Sequence, residues 1–228
     1  MLGTLSIVAT PIGNLGDITI RALDVLKASD VVLCEDTRVT QHLLSHFAIQ
    51  TKTVSYHQHS SSQKVQTIVG FLEEGKHVAL VTDAGTPGIS DPGNILIFEL
   101  LQKIPTLSII PVPGVSAVVT ALSISGFATD KFLFLGFPPN KNKRDKFFTE
   151  LSTSPYTTAF YESSHRIKKA IDALAAVLPP ERNVCIAREL TKKFETLYRG
   201  TIHHLATQQI VEKGEFVVVV DGNRNDTQ

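Results

Sequence analysis

Acidic, basic and hydroxyl side chains gather at two places in the second half of the 228-residue chain. Phe160, Tyr161, Glu162, Ser163, Ser164, His165 and Arg166 form one group, and Ala187, Arg188, Glu189, Leu190, Thr191, Lys192 and Lys193 the other. Each follows an apolar run that reads as a strand. Solvated helix starts explain one such cluster well, and two on successive strands less well. A glutamate with an arginine close by in sequence can accept a proton while the guanidinium orients it or holds a phosphate.

The first half carries loops instead of charge clusters. Thr10, Pro11, Ile12, Gly13, Asn14, Leu15, Gly16 and Asp17 follow the first apolar run. Two glycines three apart at a strand-to-helix turn let backbone N–H groups approach a ligand closely. The string is neither G-x-G-x-x-G nor a P-loop, so a plain turn fits it equally. Asp83 to Gly93 puts three Gly, two Pro and two Asp into eleven residues, more than a turn requires. Because open parallel sheets bind ligands at strand C-terminal ends, a ligand-binding loop is the preferred reading there. In Glu35, Asp36, Thr37, Arg38, a helix cap at Asp36 or Thr37 with Arg38 paired to Glu35 or Asp17 stands level with a ligand role. In Pro113, Gly114, Val115, Ser116, Ala117, Ser116 can cap a helix or bond a ligand. His57, Gln58 and His59 lack a neighbouring Cys and a fixed third ligand, so a polar loop is favoured over a metal site and no metal is expected. Cys34 and Cys185 lie inside apolar runs, and no G-x-S-x-G elbow, Walker motif or kinase set occurs. Covalent catalysis is thereby disfavoured, and group transfer from a cosubstrate remains.

These residues need elements to position them. Leu5 to Ala9, Val31 to Cys34, Val78 to Val81 and Leu107 to Ile110 are short apolar runs without period-two alternation, the pattern of strands buried on both faces. Helical patterns over Ile18 to Ala28 and Lys64 to Glu74 lie between them, so a parallel α/β sheet is expected. After Pro113 and Gly114 the chain reads as a helix at Val115 to Leu122, a strand at Phe132 to Leu135, a basic loop at Pro138 to Lys146 and a strand at Thr157 to Tyr161. Arg166 to Leu178 is amphipathic, with Ser163 or Ser164 available as N-cap. Strands at Val184 to Ala187, Thr196 to Tyr198 and Phe216 to Val220 are closely spaced and at least partly antiparallel. Two α/β lobes follow, a parallel-sheet lobe over 1–115 and a mixed-sheet lobe over 116–228, with an interdomain cleft between them.

Composition fits that reading. Hydrophobic residues make up 43% and charged residues 19%, which excludes a disordered, coiled-coil or collagen-like chain. With 22 Lys+Arg against 22 Asp+Glu, no net charge draws the molecule to a polyanion, so such a partner must meet a local patch. Residues 131–200 hold 13 Lys+Arg against 7 Asp+Glu, a net +6, and are where an anionic substrate is expected. Cysteines in strand-like runs suit a reducing, cytoplasmic setting. No basic region precedes the first strand, and the uncharged stretch 104–129 is broken by Pro105, Pro111, Pro113, Gly114 and Gly126, so neither a signal peptide nor a membrane span is expected.

The strings TPIGNLGDIT at 10–19, EDTR at 35–38, TDAGTPGISDPG at 82–93, PGVSA at 113–117, FYESSHR at 160–166 and RELTK at 188–192 together resemble the tetrapyrrole-methylase superfamily. More narrowly they are similar to its 16S rRNA (cytidine-2′-O)-methyltransferase branch, from about residue 4 to residue 221 and with the motifs in the same order. The resemblance implies an S-adenosylmethionine-dependent enzyme of two α/β domains, usually a homodimer, that acts on the small ribosomal subunit. It carries the cosubstrate contacts to Pro11, Gly13, Asp83, Ala84, Gly85, Ile89, Ser116 and Ala117, and from the second lobe to Tyr161, Leu190 and Gly214. A sulfonium cosubstrate carries no phosphate, so close glycine approach and an apolar adenine slot serve it better than a P-loop. Several members of the branch continue into a small helical extension that helps hold RNA, whereas this sequence ends at Gln228, shortly after the last expected strand.

Within that resemblance the expected activity is 2′-O-methylation of a cytidine ribose. The alternatives are methylation of a small macrocycle, such as a corrinoid or porphyrin precursor, and a non-catalytic S-adenosylmethionine-binding module. The basic second lobe favours RNA, with Lys141, Lys143, Arg144, Lys146 and Arg166 as phosphate partners. For the chemical step, Glu189 with Arg188 and Lys192 is expected near the nucleophile, and Glu162 with Arg166 behind it.

Overall fold

The computed structural model describes residues 1–57, 62–91 and 93–223, which divide into two compact units, Met1–Ser116 and Ala117–Gln228. The first unit runs β1 (Thr4–Val8), α1 (Ile20–Ala28), β2 (Val31–Cys34), α2 (Thr37–His46), β3 (Lys52–Ser55), α3 (Ser62–Glu73), β4 (His77–Leu80), α4 (Gly93–Lys103) and β5 (Ser108–Val112). Its five strands form one sheet in the order β3-β2-β4-β1-β5. Every pairing is parallel, for example Val31↔Lys52, Val31↔Val78, Leu5↔Val78 and Leu5↔Ile109. Alternate residues of one strand enter different cores. Val31 and Leu33 of β2 pack with α3 and α4 residues such as Ile68, Leu72, Leu96 and Leu100, whereas Val32 and Cys34 pack with Ala22 and Leu26 of α1 and Leu44 of α2. Helices on both faces explain why the strand sequences show no alternation.

The second unit holds α5 (Ala117–Ser125), β6 (Phe132–Phe134), α6 (Arg144–Ser152), β7 (Thr157–Ser163), α7 (Ile167–Val177), β8 (Asn183–Arg188), β9 (Thr196–Thr201), α8 (Ile202–Thr207) and β10 (Glu215–Val220). Its sheet order is β6-β7-β10-β8-β9, parallel between β6 and β7 and antiparallel elsewhere. Phe216, Val218 and Val220 of β10 join α6, α7 and α8 in one core around Phe148, Phe160 and Leu174. On the same strand Val217 and Val219 are buried outside that core, and α5 packs against β10 and β7. A parallel-sheet unit followed by a mixed-sheet unit is the fold class that the strand patterns imply.

Some local readings change. The basic stretch 138–146 is not all loop, because α6 begins at Arg144, and the preceding Lys143 takes a left-handed φ of 70°. Neither Ser163 nor Ser164 caps α7. Ser163 ends β7 and Ser164 bonds Gly214, so Arg166 occupies the N-cap position without a capping side chain. Gln58, His59 and Pro92 lie outside the described residues. Among those described, no three His, Cys, Asp or Glu side chains gather as a metal site, and no helix is long and apolar enough to cross a membrane.

Candidate functional site

The candidate site residues occupy two strand-end edges, one in each unit. In the first unit the parallel strands direct all C-terminal ends to one edge, so the loops after β1, β2, β4 and β5 emerge together. Backbone bonds stitch them. Thr10 N–H donates to Gly85 O at 2.9 Å and Gly85 N–H donates back to Thr10 O at 3.0 Å. The Thr10 hydroxyl donates to Thr82 O at 3.0 Å, the Thr86 hydroxyl to Val115 O at 3.0 Å, and Asp36 N–H to Asp83 Oδ1 at 3.1 Å. Gly85 sits at φ 89°, a left-handed conformation that glycine adopts without strain. Its α-carbon leaves ordinary van der Waals room, since an added Cβ would lie 3.5 Å from Ile12 Cγ2, so conformation and not crowding requires the glycine. Gly114 differs: a Cβ there would stand 2.9 Å from Ala9 Cβ, which holds the fourth loop tight against β1. Asp91 accepts from Gly93 N–H at 3.0 Å and so caps α4. Asp36 caps α2, and hydrogen bonds from the Arg38 side chain and backbone lower its carboxyl to about 2.

Pro11, Gly13, Asp83, Ala84, Gly85, Ile89 and Ser116 all lie on this edge, with Gly13, Asp83, Ala84 and Ile89 exposed and Pro11 and Gly85 buried. Its charge is acidic. Burial, then the neighbouring Asp83 and Asp91, raise the Glu35 carboxyl above the usual range. The basic side chains beside this edge come from helices: Arg38 of α2 is turned onto Asp36 at 2.6 Å, Lys64 of α3 donates to the Ser55 hydroxyl at 3.0 Å, and Arg21 of α1 reaches Pro111 O at 3.4 Å. Such an edge offers glycine-rich backbone and carboxylates to a ligand, and these basic side chains are each engaged with a carboxylate, a hydroxyl or a backbone carbonyl. These residues therefore fit a cationic sulfonium cosubstrate.

The second unit's edge is built from side chains. Here β7 and β8 end where the antiparallel β10 begins, which brings Glu162, Arg188 and Gly214 to one end of the sheet. The Glu162 side chain is fully buried. Arg144 Nη2 donates to its Oε2 at 2.9 Å, and Arg166 Nε lies 2.8 Å from Oε1. Arg144 also donates to Pro139 O at 3.2 Å, and Arg166 bonds Asn140 Oδ1. Glu162 is thus the internal anchor of the 138–146 segment, remote from solvent and committed to two guanidinium groups. Arg144 and Arg166, expected at RNA phosphates, face this carboxylate with little exposure. Lys141, Lys143 and Lys146 are exposed, Lys146 near Glu150 at 3.5 Å.

After β8 the chain bends sharply. Glu189 and Thr191 both take left-handed φ values, 51° and 65°, in residues that rarely adopt them. Arg188 is buried and its guanidinium is spent on backbone: Nε donates to Lys213 O at 2.6 Å and Nη1 to Phe194 O at 2.7 Å. Glu189 Oε1 accepts from Glu215 N–H at 2.9 Å and from Lys192 Nζ at 3.1 Å, and Lys192 also reaches Glu215 Oε2 at 2.6 Å. Burial opposes ionisation of Glu189, but the Glu215 amide, Lys192 and Arg188 outweigh it and leave its carboxyl below the ordinary value. Gly214 beside it takes a φ of 127°, which favours glycine, and a Cβ there would come within 2.7 Å of Glu189 Cγ and displace that side chain. Tyr161 packs edge-on against Phe134 at 4.8 Å and Phe137 at 5.4 Å, and Leu190 is buried. Ala117, the remaining cosubstrate candidate, opens α5. Burial pushes the Cys34 and Cys185 thiols up, away from nucleophilic use.

Asn140, Glu195 and Glu215 complete these networks without a signal in the sequence, and Ser164, a candidate helix cap in the sequence, instead bonds Gly214. Their partners lie up to 50 residues away, as in the Ser164 hydroxyl to Gly214 O bond, and no local pattern signals that.

A parallel sheet with glycine-rich loops at its C-terminal edge, followed by a mixed sheet with a charged edge, is an architecture that methylases use, and the family match places the chain among them. The chain belongs to the family described as Tetrapyrrole (Corrin/Porphyrin) Methylases, whose profile matches residues 4–206. Among curated proteins it is similar to "Ribosomal RNA small subunit methyltransferase I" of Vibrio cholerae, 48% identical over 97% of this chain and 78% of the relative. The protein of the same name from Halalkalibacterium halodurans is 45% identical over 97% and 76%. Among solved structures it resembles the methyltransferase CobJ, with a TM-score of 0.73 at 17% identity over 97% of this chain and 95% of the other. Cobalt precorrin-4 methyltransferase gives 0.69 at 21% over 96% and 94%, a likeness of fold.

Proposed function

We propose that the protein transfers a methyl group from S-adenosylmethionine to a cytidine 2′-hydroxyl of 16S rRNA in the small ribosomal subunit. The observation that carries the substrate class is the near-full-length identity to proteins named as small-subunit rRNA methyltransferases, 48% and 45% in the two cases above. The methyltransferase CobJ and cobalt precorrin-4 methyltransferase share the fold at 17% and 21% identity, a level that reports architecture and not substrate.

When bound, the cosubstrate supplies an already activated methyl on a sulfonium. The chain's own residues orient, exclude water and receive a proton. In the first unit, Gly85, Asp83, Ala84, Ile89, Pro11, Gly13 and Ser116 offer the cosubstrate close backbone approach beside carboxylates that favour its positive charge, and Ala117, Tyr161, Leu190 and Gly214 complete the proposed contacts. In the second unit, Lys141, Lys143 and Lys146 meet RNA phosphates. Glu162 positions that segment by gripping Arg144 and Arg166, and Arg188 positions the turn after β8 through Lys213 O and Phe194 O. Glu189 keeps 18% of its side chain exposed, whereas Glu162 has none, so Glu189 is the carboxylate that reaches a substrate hydroxyl, with Lys192 orienting it. Its lowered pKa makes it a weak proton acceptor, so alignment of oxygen, methyl and sulfur supplies most of the acceleration. The protein is proposed to act as a homodimer in the cytoplasm.

Methyl-labelled S-adenosylmethionine, purified protein and unmethylated 30S particles test this, followed by nucleoside analysis of the 16S rRNA. Label in 2′-O-methylcytidine is the expected result. Label on a corrinoid or porphyrin precursor and none in rRNA, from protein that binds the cosubstrate, overturns it.

A further inference from the structure

The turn between β8 and β9 presents one aromatic side chain that neither packing nor the proposed chemistry uses. Phe194 is 63% exposed, unlike Phe148 and Phe160 of the same unit, which are fully buried. Its ring stands mostly exposed, with Lys193 over it, while its backbone is fixed. Phe194 O accepts from Arg188 Nη1 at 2.7 Å and from the Thr196 hydroxyl at 3.1 Å. Glu195 closes the turn, its N–H donating to Lys192 O at 3.1 Å and its carboxylate accepting from Thr191 N–H at 2.6 Å. A buried guanidinium is an expensive group to place under a surface turn. Arg188 makes no ion pair among the described residues, and two of its donors serve backbone carbonyls of the two segments that flank this edge. The left-handed conformations of Glu189 and Thr191 are further strain maintained at the same place.

What such a turn holds out is a flat apolar face with positive charge beside it. Lys193 Nζ lies 5.6 Å from the Phe194 ring centroid, and Lys192 is two residues away, in the group with Glu189. Unpaired nucleobases are recognised in this way: a base stacks on an aromatic ring while neighbouring cations take its phosphates. We propose that Phe194 is a stacking platform for an unpaired base of the RNA next to the target nucleotide, a reading that rests on the rRNA methyltransferase assignment above. The stack would splay a neighbouring base out and so fix the ribose against Glu189.

The chain has no tryptophan, so Phe194→Trp introduces a single fluorophore at the platform. Adding 30S particles or an oligoribonucleotide of the target loop is expected to quench its emission, as stacking on a base requires. Phe194→Ala is expected to weaken RNA binding by about tenfold or more. Tyr and Trp at this position should restore affinity, and Leu should not, while the salt slope and S-adenosylmethionine affinity stay as in the parent. Parental RNA affinity in Phe194→Ala overturns the platform and leaves the rRNA assignment intact. Full rescue by Leu also overturns it, since that identifies an apolar protein contact. A parent protein that binds S-adenosylmethionine but neither binds nor methylates rRNA removes the assignment and the platform together.

Discussion

The two strand-end edges solve different recognition problems with different materials. In the first unit the loops are fastened through backbone, as in the mutual Thr10–Gly85 bonds, and Glu35, Asp36, Asp83 and Asp91 bring carboxylates to them. In the second unit backbone is fastened by long charged side chains, Arg144 and Arg166 on Glu162, and Arg188 on two carbonyls. Backbone stitching suits a small, cationic ligand that must be approached within van der Waals distance. Side-chain networks suit a polyanion, because they present cations on a surface while fixing the segments that bear them. The roles proposed above follow this division in the main, the first edge for the cosubstrate and the second unit's lysines for RNA, with Ala117, Tyr161, Leu190 and Gly214 as the proposed cosubstrate contacts of the second unit.

The largest effect should come from Glu162. Glu162→Ala leaves two poorly exposed guanidinium groups without their carboxylate, and loss of one partner of a buried pair costs about 3–5 kcal/mol. Urea unfolding should register that loss, and a change below about 1 kcal/mol would show that the arginines find solvent instead. Next in size is the chemical step. Glu189→Gln, assayed in single turnovers with RNA and cosubstrate saturating, should slow methylation by about a hundredfold if Glu189 receives the proton. A near-parental rate would leave alignment alone as the mechanism.

The smallest effect is a pH dependence. The Glu189 carboxyl lies below its unfolded value, so its contribution to stability is complete above the ordinary carboxylate range and is lost as pH falls through the folded value. The gap in urea midpoint between parent and Glu189→Gln should therefore be widest near neutrality and close in acid. A gap that grows in acid would reverse the sign of that interaction.

Much of the architecture is legible in sequence because packing leaves periodic traces. Val31 to Cys34 shows no alternation because helices cover both faces of β2, and Ile167, Ala170, Ile171 and Leu174 recur at helical spacing because one face of α7 enters the core. The ends of elements read less well. Arg144 opens α6 and sends its side chain to Glu162, 18 positions away, and a local window contains no sign of that partner. The same distance effect hid the bond from Arg166 to Asn140, 26 positions away, and that between Asp36 and Asp83, 47 positions apart. Left-handed backbone at Glu189 and Thr191 left no compositional trace either, since neither residue type favours it. Motif strings marked the two strand-end edges that carry the candidate site residues. Which side chains face inward as anchors depended on tertiary contacts.

The division between the edges is tested most directly by binding isotherms for S-adenosylmethionine and rRNA on two variants. Gly85→Val forces a branched residue into a φ of 89°, and the double change of Lys141 and Lys143 to Glu reverses charge on two exposed side chains. The account predicts that Gly85→Val, checked for folding, loses cosubstrate affinity by about tenfold or more through that strain and keeps its salt slope for RNA. The lysine variant should keep cosubstrate affinity and flatten the salt slope by about one unit per lost phosphate contact. Cosubstrate binding unchanged in Gly85→Val, or an RNA salt slope unchanged in the lysine variant, would contradict it.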